Sequence, residues 1–171
     1  MGFLTGKTAI ITGAGRAVLK DGSCGSIGYG IATAYAKEGA NLVITGRNVK
    51  KLEAAKQELE SLYGIKVLTV QADVCAGGDN EATVANVIKQ AVDTFGGIQV
   101  LINNAQASAS GVPLAEHTTE QFDLAIYSGL YAAFYYMKAC YPYLAESHGS
   151  VINFASGAAV SYTHLRAHET D

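Results

Sequence analysis

The chain has 171 residues, 49% of them hydrophobic and 16% charged, which suffices for one α/β domain with a sizeable core. The net charge of -3 argues against nucleic acid or an anionic membrane as the main partner. No apolar run could span a bilayer, the first residues do not resemble a signal peptide, and the three cysteines lack metal-ligand spacing, so we expect a cytoplasmic protein without a metal site.

The first part of the chain carries a strand–turn–helix–strand pattern. Thr8–Thr12 is a β-branched, apolar run typical of a buried parallel strand, and Asn41–Thr45 is a second such run. Between them lie a glycine-rich stretch, residues 13–30, and a helical pattern over Ile31–Glu38 that Gly39 ends. This order predicts one βαβ unit.

The turn after the first strand is suited to a phosphate. Glycines let the backbone approach a ligand closely, and the start of the following helix offers unpaired N–H groups and partial positive charge. A dinucleotide pyrophosphate fits such a site. The alternative is an ordinary βα loop that is rich in glycine because it turns tightly.

Arg47 follows the second strand and bears on the choice of cofactor. An acidic residue there would bind the ribose hydroxyls of NAD, whereas an arginine accommodates the 2′-phosphate of NADP. No Asp or Glu ends this strand, and Arg16 could also reach a phosphate. The sequence therefore favours NADP over NAD, although Arg47 could instead be a solvated residue that opens the next helix.

The rest of the chain continues to alternate strands and helices. Asn48 is predicted to cap a helix that Gly64 ends, and Thr118 with Gln121 forms a capping box before a long aromatic helix, about Thr119–Leu144. The first of these helices has an apolar face, and this face consists of Leu52, Ala55, Leu59 and Leu62. The other predicted elements are strands over 66–72, 98–102 and 150–154 and a helix over about Asn80–Phe95.

This alternation predicts an α/β fold: a Rossmann-like, doubly wound parallel sheet in a three-layer α/β/α arrangement. The long helix is apolar over most of its girth, so one side should cover the sheet and the other could meet another subunit. Asp73 and Val74 follow the third strand, at the sheet edge where such folds bind ligands. Asp73 could bind an adenine amino group or loop amides, or could simply shape a turn.

These motifs together resemble those of the short-chain dehydrogenase/reductase family over about residues 4–159. The resemblance implies hydride transfer between NADP(H) and a small carbonyl or alcohol substrate by a homo-oligomer, either dimer or tetramer. It implies that Ser156 is the catalytic serine that polarises the carbonyl oxygen. It also identifies the cofactor-binding residues as Thr12, Gly13, Gly15, Ser26, Ile27, Gly28, Arg47, Asp73, Val74, Asn104 and Ala105.

Three departures from the family pattern lie within the domain. Extra residues separate Gly15 from Gly25 in the cofactor turn, where Ser26 replaces a usual glycine. Gln106 replaces the last glycine of the Asn-Asn-Ala-Gly motif. Gly129 replaces the asparagine of the long helix that holds a proton-relay water in the family, so we expect a weaker relay unless another group substitutes.

A fourth departure concerns the Tyr-x-x-x-Lys pair that supplies the family's proton donor. Tyr162 lies too near Ser156, and Arg166 stands where the lysine would be. Residues 160–171 resemble the translation of a sequencing adapter, so we expect a non-native tail there. Residues 1–159 would then be a partial NAD(P)-binding domain, incomplete on its C-terminal side.

Two functions remain open from the sequence. The chain could be an inactive fragment of an NADP-dependent oxidoreductase, or a non-catalytic, regulatory nucleotide-binding module that lost the chemistry. A methyltransferase with a similar βαβ start is a weaker alternative, because it explains neither the Asn103–Asn104 pair nor Ser156.

Overall fold

The structure is a computed structural model that describes residues 2–75, 77 and 80–156. The predicted non-native segment, residues 160–171, lies outside these residues. Within them, five strands form one parallel sheet in the order β3-β2-β1-β4-β5. The strands are β1 Thr8–Thr12, β2 Asn41–Gly46, β3 Val67–Gln71, β4 Val100–Asn103 and β5 Ser150–Asn153. This order confirms the predicted doubly wound sheet.

Helices cover both faces of the sheet and make three layers. The helices are α1 Ile27–Lys37, α2 Val49–Tyr63, α3 Asn80–Phe95, α4 Thr119–Ile126 and α5 Ala132–Ser147. Ile11 and Ile44 point to the face that α1 and α2 cover. Ile10 and Val43 point to the opposite face, against α3 and α5. Successive residues of a strand alternate between faces, so these continuous apolar runs supply both cores.

Local signals in the sequence fix several helix ends. The side chain of Asn48 accepts the N–H of Lys51 at 3.0 Å and caps α2, which ends at Gly64 as predicted. The capping box is also confirmed, since the Thr118 hydroxyl accepts the N–H of Gln121 while the Gln121 side chain accepts the N–H of Thr118.

The predicted apolar face of α2 is correct for three of its four residues. Leu52 and Leu59 are almost fully buried, but Leu62 in the last turn is 64% exposed. Tyr63, which ends this turn, and Ile65, just after the helix, are partly buried and pack against the core.

The predicted long aromatic helix is present from Thr119 to Ser147, but it is α-helical only in two parts. A π-helical turn over Tyr127–Tyr131 separates α4 from α5. Two side chains compete for the backbone there: the Ser128 hydroxyl lies 2.8 Å from the carbonyl of Leu124, and the Asn80 amide donates to the carbonyl of Tyr127 at 3.3 Å. Such competition favours a widened turn over a regular helical ladder.

The side of this helix that faces away from the sheet remains exposed. Its exposed apolar residues are Phe122, Leu130, Tyr131, Phe134 and Tyr141. Strand β5, at the edge of the sheet, is exposed along its length. Among the residues that the structure describes, no helix is long and apolar enough to cross a membrane.

The contrast between Leu52 and Leu62 gives a test of the packing of α2. Leu52→Ala should lower the free energy of unfolding by about 2–5 kcal/mol, because it leaves a cavity in a closed core. Leu62→Ala removes the same atoms from an exposed site and should change the free energy of unfolding by less than about 0.5 kcal/mol. Denaturant unfolding of both variants measures the difference, and equal effects would contradict the packing described.

Candidate functional site

The turn after β1 is closed by a very near approach of two backbone segments. A Cβ at Gly28 would lie 2.3 Å from the carbonyl oxygen of Gly13 and 2.6 Å from Nδ2 of Asn104, so a side chain cannot fit at Gly28. Gly13 adopts a φ of +72°, which glycine takes readily. Both glycines were predicted from the sequence, and this packing gives their physical reason.

Helix α1 begins immediately behind this turn. The Ser26 hydroxyl accepts the N–H of Tyr29 at 3.4 Å, so Ser26, which replaces a usual glycine, is the N-cap of α1. No acidic residue lies in the first turn of α1 to neutralise its partial positive charge. This helix start can therefore attract an anion.

Thr12 and Asn104 join the ends of β1 and β4. The Thr12 hydroxyl accepts the N–H groups of Asn104 and Ala105, both at 2.9 Å, and Nδ2 of Asn104 donates to the Thr12 carbonyl at 2.8 Å. These bonds hold the Asn103–Ala105 segment beside the glycine turn. The sequence placed these residues at one sheet edge, and the structure brings them into contact.

The extra residues of the turn form a small hairpin. The N–H of Gly25 donates to the carbonyl of Ala17 at 2.7 Å, and the N–H of Leu19 donates to the carbonyl of Ser23 at 2.9 Å. Because the hairpin closes on itself, the longer turn still returns the chain to Ser26 and the start of α1.

Arg16, at the base of this hairpin, is held by an acidic residue of α2. Its Nε donates to Glu58 at 2.5 Å, and the hydroxyl of Tyr29 donates to the other carboxylate oxygen. These hydrogen bonds lower the pKa of Glu58 and raise that of Arg16. Burial and the same carboxylate raise the pKa of Tyr29. Arg16 therefore has a partner within the chain.

Three cavities adjoin the turn. The largest, about 600 Å³, is lined by the predicted residues Thr12, Ile27, Val74, Asn104, Ala105 and Ser156 among others. We call it the catalytic cavity after Ser156, the predicted catalytic residue. A second cavity of about 220 Å³ shares several of these and adds Gly13 and Arg47. A third, about 240 Å³, is lined by Gly13, Gly15, Ser26, Arg47 and Lys51 among others.

Arg47 lines the second and third cavities, at the end of β2. Its side chain is exposed, and no ion pair is present for it among the described residues. Asp73 is exposed, lines none of the three cavities, and accepts the N–H of Cys75 at 2.9 Å. Asp73 thus shapes a turn in the structure, while its binding of an adenine amino group stays a prediction.

Ser156 reaches the catalytic cavity because β5 pairs with β4. Asn103 and Asn153 are paired in register, and Nδ2 of Asn103 donates to Oδ1 of Asn153 at 2.8 Å. The N–H of Phe154 donates to the carbonyl of Asn103 at 3.0 Å. The chain then carries Ser156 to the lining that also holds Thr12 and Asn104.

A family model described as short chain dehydrogenase matches residues 7–168. The chain belongs to the short chain dehydrogenase family. The resemblance inferred from the motifs is thereby confirmed.

Several known proteins are similar to this short chain dehydrogenase. A 12alpha-hydroxysteroid dehydrogenase from a Clostridium species is 61% identical over 160 residues, which are 94% of this chain and 59% of that protein. L-Sorbose reductase from Gluconobacter frateurii, solved with NADPH and L-sorbose, gives a TM-score of 0.80 at 31% identity over 94% of this chain and 56% of its own. An NAD+-bound xylitol dehydrogenase gives a TM-score of 0.79 at 26% identity, over 92% of this chain and 56% of its own.

The chain spans roughly half to three fifths of the length of the curated relatives that it matches, from 49% to 61%. The activity and substrate of the whole protein are therefore matters for proposal.

Tyr136 of α5 also lines the catalytic cavity. Its hydroxyl is buried, faces that of Thr45, and is outside hydrogen-bond geometry with any described group. Burial raises the pKa of Tyr136 to about 12, so the phenol is a poor acid near neutral pH.

Sequence reasoning missed four residues that shape this site. They are Tyr29, Glu58, Asn80 and Ser128, and each acts through a contact with a residue distant in sequence. A polar serine inside an apolar, aromatic helix was the one local signal available. Among the described residues, no cluster of three or more His, Cys, Asp or Glu side chains could hold a metal ion.

Gly28→Ala tests the closure of the turn. The added methyl group would overlap the Gly13 carbonyl, so we expect a loss of about 3 kcal/mol in the free energy of unfolding. Gly30→Ala, two residues along α1, meets only the Cys24 sulfur at 3.3 Å and should leave stability unchanged or raise it by up to about 1 kcal/mol. Denaturant unfolding distinguishes the two, and a harmless Gly28→Ala would refute the closure.

Glu58→Gln tests the bonds to Arg16 and Tyr29. Because the folded-state pKa of Glu58 is lowered, its stabilisation is complete above the unfolded value of about 4.3 and is lost as the pH falls through the folded value. The variant should lose about 1 kcal/mol at pH 7. The difference from the wild type should shrink in acid, and urea unfolding between pH 7 and pH 3 measures it. A difference independent of pH would contradict the assignment.

Proposed function

We propose that this chain is the cofactor-binding part of an NADP-dependent oxidoreductase that interconverts a hydroxysteroid and the corresponding ketosteroid. The observation that carries the proposal is the glycine turn closed under the start of α1, with Arg47 beside it, in a chain 61% identical to a 12alpha-hydroxysteroid dehydrogenase. The bound cofactor would supply or accept the hydride.

The residues of the turn fit a dinucleotide. The closed approach at Gly28 leaves the start of α1 open to a pyrophosphate, and Ser26, Gly15 and Gly13 border the same cavity. Arg47 would hold the 2′-phosphate of NADP, whereas Arg16 is already paired with Glu58. The NADPH bound in L-sorbose reductase supports this choice, and the NAD+ bound in xylitol dehydrogenase makes NAD the alternative.

The catalytic cavity suits an uncharged, apolar substrate. No charged side chain is among the described residues that line it. Its apolar lining includes Ile27, Val74, Ala125, Leu130, Ala132, Ala133 and Phe154. A steroid ring system can bury against such a surface, while the amides and hydroxyls of the lining can orient its oxygen.

Ser156 would act on the reacting oxygen. Reduction of a carbonyl adds a hydride to carbon and a proton to oxygen, so negative charge develops on oxygen before the proton arrives. The Ser156 hydroxyl would donate a hydrogen bond to that oxygen and polarise the carbonyl. The proton donor would be the family's tyrosine, activated by its lysine, and neither is supplied by this sequence.

For this reason we propose that the 171-residue chain binds the cofactor without turnover. We also propose that residues 160–171 are not native and that the whole protein is a dimer or tetramer. The exposed aromatic side of α4 and α5 would be buried in that assembly. A non-catalytic nucleotide-binding module is the second candidate, and Gly129 in place of the family's asparagine favours it. The parent gene beyond codon 159 distinguishes them, because only the enzyme requires a Tyr-x-x-x-Lys motif there.

Cofactor binding can be tested on this chain by fluorescence titration with NADPH and NADH. Arg47→Ala should weaken NADPH binding by about tenfold and leave NADH nearly unchanged, because only NADPH carries the 2′-phosphate. Lys37→Ala removes the same charge from the far end of α1 and should change neither. Gly13→Asp should abolish binding of both by adding a side chain and negative charge to the pyrophosphate site.

Two outcomes would overturn the cofactor proposal. One is equal NADPH affinity of the wild type and Gly13→Asp, and the other is no binding by either. A tighter binding of NADH than of NADPH by the wild type would replace NADP with NAD as the cofactor.

A further inference from the structure

Most polar side chains that line the catalytic cavity are held by bonds within the protein. Thr12 and Asn104 bond to each other, and Asn103 bonds to Asn153. The Ser128 hydroxyl accepts the N–H of Ala107 at 3.0 Å and lies near two carbonyl oxygens. These bonds fix the orientation of the side chains, although Oδ1 of Asn103 is buried without a hydrogen-bond partner among the described residues.

The amide of Gln106 differs from them. It is exposed in the lining of the catalytic cavity, and no hydrogen bond joins it to any residue that the structure describes. Gln106 also lines the second cavity, as do Val74, Asn104 and Ala105, so it stands where the two cavities meet. A carboxamide can donate and accept at once, which suits it to orient a water molecule.

Gly129 provides the room that the Gln106 side chain occupies. A Cβ at Gly129 would lie 3.8 Å from Nε2 and 4.0 Å from Cγ of Gln106, so a methyl group fits there but a longer side chain would meet the amide. The Ser128–Ala107 bond fixes the loop just after Gln106 against the π-helical turn. The two departures from the family motifs, Gln106 and Gly129, are therefore close enough in space for a side chain at position 129 to contact the Gln106 amide.

We propose that Gln106 is a positioning residue, whose amide holds a proton-relay water. We call the space between the Gln106 amide and Gly129 the notch, and the water would lie there. Hydride addition to a carbonyl leaves an alkoxide that needs one proton, and the donor that supplies it must be reprotonated from solvent. A water bound by Gln106, at the meeting of the two cavities, would lie on that route. The inference rests on the proposed function, since the relay serves carbonyl reduction.

The contact can be tested on the 171-residue chain by thermal unfolding. Gly129→Ala should raise the melting temperature, because the methyl group fits and alanine favours helix. Gly129→Asn should lower it, because the longer side chain meets the Gln106 amide, although asparagine alone is no worse than glycine in a helix. Gln106→Ala/Gly129→Asn should restore the wild-type value. Independent, additive effects would overturn the contact.

The relay can be tested by turnover in the protein completed with its native C-terminal part, with NADPH and a ketosteroid. Gln106→Ala should lower kcat about tenfold, enlarge the solvent isotope effect and shift the pH profile of kcat. KM and the Kd for NADPH should stay within about twofold of wild type. Gln106→Ala/Gly129→Asn should regain most of kcat, since its asparagine returns an amide to the notch. Gln57→Ala, on the exposed side of α2, is the control and should change nothing.

The outcomes distinguish a failure of the Gln106 relay from a failure of the proposed function. An active completed protein in which Gln106→Ala keeps its kcat, its isotope effect and its pH profile would overturn the relay alone. A completed protein with no NADPH-dependent turnover would overturn the proposed function, and the relay with it. In that case the unfolding measurements would still decide whether Gln106 and Gly129 are in contact.

Discussion

The closeness of Gly28 to the Gly13 carbonyl is the constraint on which the site depends. With the backbone of α1 pressed against the turn, the start of the helix lies beside the Gly13 carbonyl and the Asn104 amide, which follow β1 and β4. The amide of Asn104 lies in the same contact, so β4 is fixed by the atoms that fix the turn. The contact of Gly28 with Gly13 and Asn104 thus aligns the glycine turn, where a pyrophosphate is expected, with the catalytic cavity.

The hairpin within the turn shows how a longer loop can leave this constraint intact. The chain leaves at Arg16, closes a hairpin on itself, and returns at Ser26, which caps α1. Glu58 holds Arg16 at the base of the hairpin and also receives the buried phenol of Tyr29. The loop is therefore tied to both helices on that face of the sheet. Among the described residues, Arg47 and Lys51 are left as cations without an ion pair at the border of the third cavity.

The catalytic side is organised by different forces. Ser156 follows β5, which is exposed and pairs with β4 through backbone bonds and the Asn103–Asn153 pair. Opposite it, the π-helical turn is maintained by the side chains of Ser128 and Asn80. Both supports are weaker than a packed core.

The sequence by itself determined the class of fold, the order of the elements and the place of the cofactor turn. Strand runs such as Thr8–Thr12, the caps at Asn48 and Thr118, and the glycines around α1 are local signals, because each depends on neighbours within a few residues. The tertiary structure alone decided that Leu62 is exposed, that Glu58 engages Arg16, and that the long helix widens at Ser128. It also brought Gln106 and Gly129 together. These outcomes depend on contacts between residues far apart in the chain, which no local periodicity encodes.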